Sequence, residues 1–177
     1  VISYIGALNK ERNIERIIDL VSKDQRFGLL IAGKGEKSGI ATIASKNNKN
    51  IEYIGFIDDK RLIDYYNNLS DVIFYGLNSD YLVSITAVPN KLYESIAYNK
   101  VLLASIYGEI KLIKDEFTSI IDFDKSDFNL DILYKKLNDS KFMATKNKET
   151  QILSTRFSED NARMTLIEAY GGMISHD

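Results

Sequence analysis

Short apolar runs alternate with segments of helical spacing along most of the chain. Residues 2–5 form a strand-like run closed by Gly6, and Ile14, Ile17, Ile18 and Val21 then recur at helical intervals. Residues 27–32 are continuously apolar and end at Gly33, as strands buried on both faces of a parallel sheet do. Ile40, Ile43 and Ala44 predict a second helix, with residues 45–50 read as a solvated turn. A strand over 51–54 closes at Gly55, a helix over 61–69 carries Leu62, Ile63 and Tyr66 on one side, and a strand over 72–75 closes at Gly76. Residues 89–100 read as a tight turn and short helix, followed by a buried strand from Val101. The remainder predicts a helix over 109–116, a short strand over 119–121, a helix around Leu130 to Leu137, a mostly polar, exposed helix over 141–155, and a last helix over 159–170 stopped by Gly171 and Gly172.

Strand–helix alternation at this interval implies an α/β fold, a Rossmann-like open parallel sheet flanked by helices. Such sheets bind ligands beyond the carboxyl ends of their strands. The loops at that edge are residues 6–13, 33–38, 55–60 and 76–90. No Pro- or Gly-rich linker divides residues 1–177, which read as one domain with residues 159–177 as terminal helix and tail. The chain opens directly on a strand-like segment without methionine, so it is expected to be part of a longer protein.

Composition narrows the chemistry. A net charge of -2 argues against electrostatic nucleic-acid binding, and no apolar run approaches membrane-spanning length. With no cysteine and a single histidine, His176, beside the C-terminus, thiolate and histidine-based catalysis and a histidine metal cluster are not expected.

The segment Pro89-Asn90-Lys91-Leu92-Tyr93-Glu94 is the most informative. A lysine in the first turn of a helix faces the positive end of the helix dipole. A phosphate between the two relieves that conflict, because ammonium and free N–H groups then meet the same anion. Glu94 lies one turn on, on the face of Asn90 and Lys91, where a carboxylate suits paired hydroxyls such as those of a ribose. The plainer alternative is an i,i+3 surface ion pair. Lys10 and Arg12, after the first strand, could reach a phosphate over the sheet edge or sit in an ordinary solvated loop, and Asn13 is placed to cap the next helix. Gly33-Lys34-Gly35-Glu36-Lys37-Ser38-Gly39 misses the dinucleotide fingerprint by one residue and reads as a sharp strand-to-helix turn or as a turn that skirts a ligand. Asp58 and Asp59 suit a helix start.

Tyr4-Ile5-Gly6, Ile31-Ala32-Gly33-Lys34-Gly35-Glu36, residues 50–57, residues 69–72 and Pro89 to Glu94 stand in an order that resembles the C-terminal half of group 1 (family 4) glycosyltransferases, particularly bacterial enzymes of capsule and other surface polysaccharides. That resemblance implies one half of a GT-B fold, binding a UDP- or GDP-sugar donor and transferring the sugar with retention, without metal or other cofactor, to a glycan or lipid-linked acceptor held by a missing N-terminal domain. It implies donor contacts from Glu94, Lys91, Asn90, Arg12, Gly6 and Ile57, with weaker roles for Lys10, Gly33 and Thr86. Glu94 takes the second place of the family's E-x7-E motif and would bind the ribose; the loop at Ile57 would pack on the base; Arg12 stands where the family has a phosphate-binding lysine. Two positions depart from the pattern: Thr86 replaces the first glutamate of the motif, and Ala7 replaces an arginine. No residue of this half is singled out as catalytic, and the isolated domain is expected to be inactive. The absence of cysteine suits the reducing cytoplasm, and the resemblance implies association of the full-length form with the inner face of the membrane. Alternatives are a degenerate, non-catalytic binding or scaffold domain and the half-domain of a nucleotide-sugar epimerase.

Overall fold

The computed structural model describes residues 1–86 and 89–164, with the backbone alone at positions 83 and 85. Six strands form one parallel sheet: β1 Ile2–Ile5, β2 Leu29–Ala32, β3 Ile51–Tyr53, β4 Val72–Tyr75, β5 Val101–Ala104 and β6 Ile120–Asp122. Their spatial order is β3-β2-β1-β4-β5-β6, so the direction of winding reverses between β1 and β4. At that switch point the connections leave toward opposite sides and open a crevice above the carboxyl ends.

The helices are α1 Ile14–Ser22, α2 Ser38–Asn47, α3 Asp59–Asn68, α4 Leu82–Thr86, α5 Asn90–Ala97, α6 Gly108–Ile113, α7 Leu130–Leu137 and α8 Ser140–Arg156. Residues 159–164 are also helical, and the rest of the helix expected over 159–170 lies outside the described residues, as do Gly171 and Gly172. Side chains alternate across the sheet with period 2. Ile2, Tyr4, Leu29, Ile31, Val72, Phe74, Val101 and Leu103 meet α1, α2 and α7 on one face. Ile5, Ala32, Ile73, Tyr75, Leu102 and Ala104 meet α3, α5, α6 and α8 on the other. Both layers are closed, which is why the strands read as nearly unbroken apolar runs.

Several expectations are corrected. Helix α2 continues to Asn47, through residues expected to be a turn. The loop over 76–90 contains the short helix α4. Asn13 precedes α1 but makes no side-chain cap; its backbone N–H donates to Gly76 O at 3.1 Å and ties the β1 loop to the end of β4. Asp58 does cap α3, accepting from Arg61 N at 2.8 Å.

The largest correction concerns α8. Its polar sequence predicts exposure, yet Lys146, Thr150 and Leu153 are buried. Lys146 Nζ donates to Asn99 O at 2.6 Å and Asn99 Oδ1 at 2.9 Å, just beyond the C-terminus of α5. Asn99 takes a positive φ of 54° there. An ammonium suits the negative end of a helix dipole. Burial, reinforced by the nearby charge of Lys100, pulls the Lys146 ammonium below the usual lysine pKa. Helix α8 is therefore a buttress that fixes the far end of α5.

Candidate functional site: the crevice at the switch point

A crevice of about 610 Å³ opens where the winding reverses. Ile5, Gly6 and Ala7 after β1, Gly33 and Lys34 after β2, Phe56 and Ile57 after β3, Asp59 and Leu62 of α3, and Asn90, Lys91 and Glu94 of α5 line it. Four separate chain segments thus converge on one space.

Its floor is made by backbone. Gly6 N donates to Ala32 O at 2.9 Å, Leu8 N to Lys34 O at 2.9 Å, and Lys37 N to Leu8 O at 2.9 Å, so the β1 and β2 loops are zipped together. Gly33 has φ 137°, and a Cβ placed on it would stand 1.8 Å from Gly6 O. A Cβ on Gly35 would stand 2.5 Å from Leu8 O. The glycines of this segment serve more than the turn expected of them: they let a second loop pass against the first.

One wall is the start of α5. Pro89 sits at the N-cap, its fixed φ suiting a helix start and its side chain offering no cap. The first turn beside Asn90 and Lys91 thus has no side-chain cap, and Leu92 N donates to Pro89 O at 3.0 Å. Lys91 Nζ donates to Glu94 Oε2 at 2.6 Å, the side chains being 11% and 21% exposed. The same oxygen accepts from Tyr66 Oη at 2.8 Å. Loss of water lowers the pKa of Lys91; Glu94 opposes this, and the charge of Arg12 adds to it. The ion pair that spacing alone permits is thus present, but it is largely sheltered and sits inside the crevice rather than on open surface.

The opposite wall is apolar. Ile57 is buried, whereas Phe56 is 66% exposed, with Lys34 Nζ 5.3 Å from its ring centre. The sequence pattern points to Ile57 but not to Phe56 or Lys34 as crevice residues; an aromatic residue directly after a strand-end glycine is the available signal. Tyr66 stands in the sequence only as one position of an apolar helix face. A buried tyrosine requires a hydroxyl partner, and that requirement was the sign of a role beyond packing.

Of the expected donor residues, Gly6, Gly33, Ile57, Asn90, Lys91 and Glu94 line the crevice together. Three do not. Arg12 stacks on Tyr75, its guanidinium 5.2 Å from the ring centre, and its buried Nε has no hydrogen-bond partner among the described residues. Its charge nevertheless reaches Lys91 and Tyr4. Lys10 stands 5.4 Å from the centre of the Tyr81 ring. Thr86 is exposed at the end of α4, its hydroxyl donating back to Leu82 O at 3.3 Å. Arg12 and Lys10 are held against Tyr75 and Tyr81, and Thr86 stands at the exposed end of α4, so none of the three lines the crevice. Among the described residues, no three His, Cys, Asp or Glu side chains converge as metal ligands, and no helix is long and apolar enough to cross a membrane.

A Rossmann-like sheet with a polar crevice at its switch point is the architecture of nucleotide-binding half-domains. The chain belongs to the family described as glycosyl transferases group 1, whose pattern matches residues 1–148. A search of curated proteins returned no match. Solved structures of similar fold include Anabaena HepE in complex with UDP, at TM-score 0.71 and 14% identity over 97% of this chain and 48% of that one. The catalytic domain of cholesterol-α-glucosyltransferase from Helicobacter pylori superposes at TM-score 0.63 with 18% identity, covering 85% of this chain and 94% of that one. WaaG, a glycosyltransferase involved in lipopolysaccharide biosynthesis, superposes at TM-score 0.62 with 14% identity over 89% of this chain and 43% of its own. The chain thus spans about half the length of HepE. At these identities the likeness is one of fold: a GT-B half.

Proposed function

We propose that this domain binds the donor in a retaining glycosyltransferase that transfers a sugar from a nucleoside diphosphate to a glycan or lipid-linked acceptor in polysaccharide biosynthesis. The observation that carries it is the convergence of Asn90, Lys91 and Glu94, from one helix start, on a crevice with a glycine floor and an apolar far wall. The diphosphate would lie against the first turn of α5, replacing Glu94 as the partner of Lys91. Glu94, released from Lys91, would accept from the ribose hydroxyls, and Phe56 and Ile57 would pack on the base. Arg12 adds positive charge from behind the floor. The domain's work is positioning and charge stabilisation as the glycosidic bond breaks, and it needs no metal. Two of the structural relatives support the reading: HepE was solved with UDP, and WaaG acts in lipopolysaccharide biosynthesis. The acceptor would be held by a second domain, with the full protein at the inner face of the membrane in the cytoplasm.

Calorimetric titration with UDP, GDP and their sugars tests the site. Binding by at least one of them is expected, and Glu94→Ala should weaken it by about 1–3 kcal/mol by leaving hydroxyls unpaired. Absence of binding to any of them at millimolar concentration, in both this domain and the full-length protein, overturns the reading. Degeneracy is the second reading, favoured by Thr86 and Ala7 at the two positions that depart from the family pattern. Transferase activity of the full-length protein on a lipid-linked acceptor decides between them.

A further inference from the structure

Tyr66 has no part in the donor contacts outlined above, yet it touches the residue on which they turn. Its side chain is fully buried in α3, and its hydroxyl donates to Glu94 Oε2 at 2.8 Å. The ring is held by Tyr98, with centroids 5.2 Å apart, and Lys91 Nζ lies 5.7 Å from its centre. Burial, together with the Glu94 carboxylate, drives the Tyr66 pKa up, so the hydroxyl keeps its proton and remains a donor. Both donors to Glu94, Tyr66 and Lys91, converge on one oxygen, Oε2; Oε1 has no protein partner among the described residues.

We infer that Tyr66 is a positioning residue for ribose recognition: it pins Oε2 of Glu94 so that Oε1 faces the crevice. This rests on the reading of Glu94 as the ribose acceptor. The two donors differ in what a nucleotide does to them. Lys91 is at the crevice and turns to the diphosphate when one binds. Tyr66 is behind Glu94, on another helix, and stays. Without it, Glu94 loses both its restraints on nucleotide binding and regains rotamer freedom as the hydroxyls need it fixed. Tyr66 therefore separates the two halves of the ligand: the diphosphate can draw Lys91 away without releasing the carboxylate that reads the sugar.

The test compares UDP, 2′,3′-dideoxy-UDP and inorganic pyrophosphate by calorimetry on the wild-type chain and on Tyr66→Phe. The wild type is expected to prefer UDP over the dideoxy nucleotide by about tenfold or more, since each unpaired buried group costs about 1–3 kcal/mol. In Tyr66→Phe the preference should fall below about threefold, while pyrophosphate affinity stays within about twofold of wild type. In a Glu94→Ala background, which leaves Tyr66 no side-chain oxygen to pin, Tyr66→Phe should leave the residual preference unchanged. A Tyr66→Phe chain that keeps the wild-type preference overturns the inference and leaves the donor site standing. A wild type that binds UDP and dideoxy-UDP equally overturns Glu94 as ribose acceptor and this inference with it. Should the Phe variant unfold, Tyr66→4-aminophenylalanine and Tyr66→4-fluorophenylalanine repeat the comparison with and without a donor; equal preferences in the two overturn the inference.

Discussion

The floor and the α5 wall of the crevice are built on opposite terms. The floor is backbone against backbone: two loops joined by N–H to C=O bonds, with Gly33 so close to Gly6 that no side chain fits between them. The wall is side chain against side chain: an ammonium, a carboxylate and a phenol sharing one oxygen. A backbone floor fixes shape and tolerates nothing, because its tolerances are set by van der Waals contact. A charged wall is adjustable, because its partners can be exchanged for those of a ligand. The same division separates stability from binding.

Substitution should show that division at its sharpest at Gly33. Gly33→Ala places a Cβ on a carbonyl oxygen at positive φ and should destabilise the fold by about 3 kcal/mol or more, read by urea denaturation. Gly39→Ala is the contrast: its Cβ meets nothing within 4 Å inside α2, and it should stabilise by about 0.5–1 kcal/mol. Equal effects at the two positions would break the comparison.

The wall depends on its buttress. Lys146→Met removes both charge-assisted bonds from the buried ammonium to Asn99 and should cost about 1–3 kcal/mol of stability by thermal or urea unfolding. Phe56→Ala should act the other way round: stability within about 0.5 kcal/mol, because the ring is exposed, but UDP affinity lower by about 1 kcal/mol through lost stacking on the base.

The smallest expected effect is a fraction of a proton. Burial holds the Lys91 pKa below its ordinary value in the free site, and a bound diphosphate should raise it. Between the free and bound values the domain takes up protons on binding, so affinity falls as pH rises through that alkaline window. In the opposite direction, the unfolded chain holds more protons than the fold between the depressed and ordinary Lys91 values, so stability rises with pH there. Calorimetric enthalpies in buffers of different ionisation heat measure the uptake; no dependence on buffer at alkaline pH would remove Lys91 from the diphosphate.

Much of this was legible in the chain. All six strands, and the helices that carry their own apolar stripe, follow from period and punctuation. Six crevice residues were named from the glycine after β1, the glycine after β2, the β3 loop and the α5 segment. What escaped has common causes. Helix α4 is too short to show a period. Helix α8 buries a lysine, which a hydropathy pattern reads as exposed. Arg12 and Lys10 turn to Tyr75 and Tyr81, and Thr86 to Leu82 of its own helix, contacts that position along the chain does not specify.

The sequence by itself determined the alternation of strands and helices, the edge at which a ligand would bind, and the acidic, basic and glycine residues available there, because each rests on local periodicity or on the conformational needs of one residue. Only the tertiary structure decided the strand order that opens the crevice between β1 and β4, the contact of Gly33 with Gly6, the hydrogen bonds of Lys146 in α8 to the backbone and side-chain oxygens of Asn99 beyond α5, and the placing of Tyr66 behind Glu94. These are contacts between segments far apart in the chain, set by how two packed layers close around the sheet, and no local pattern encodes them.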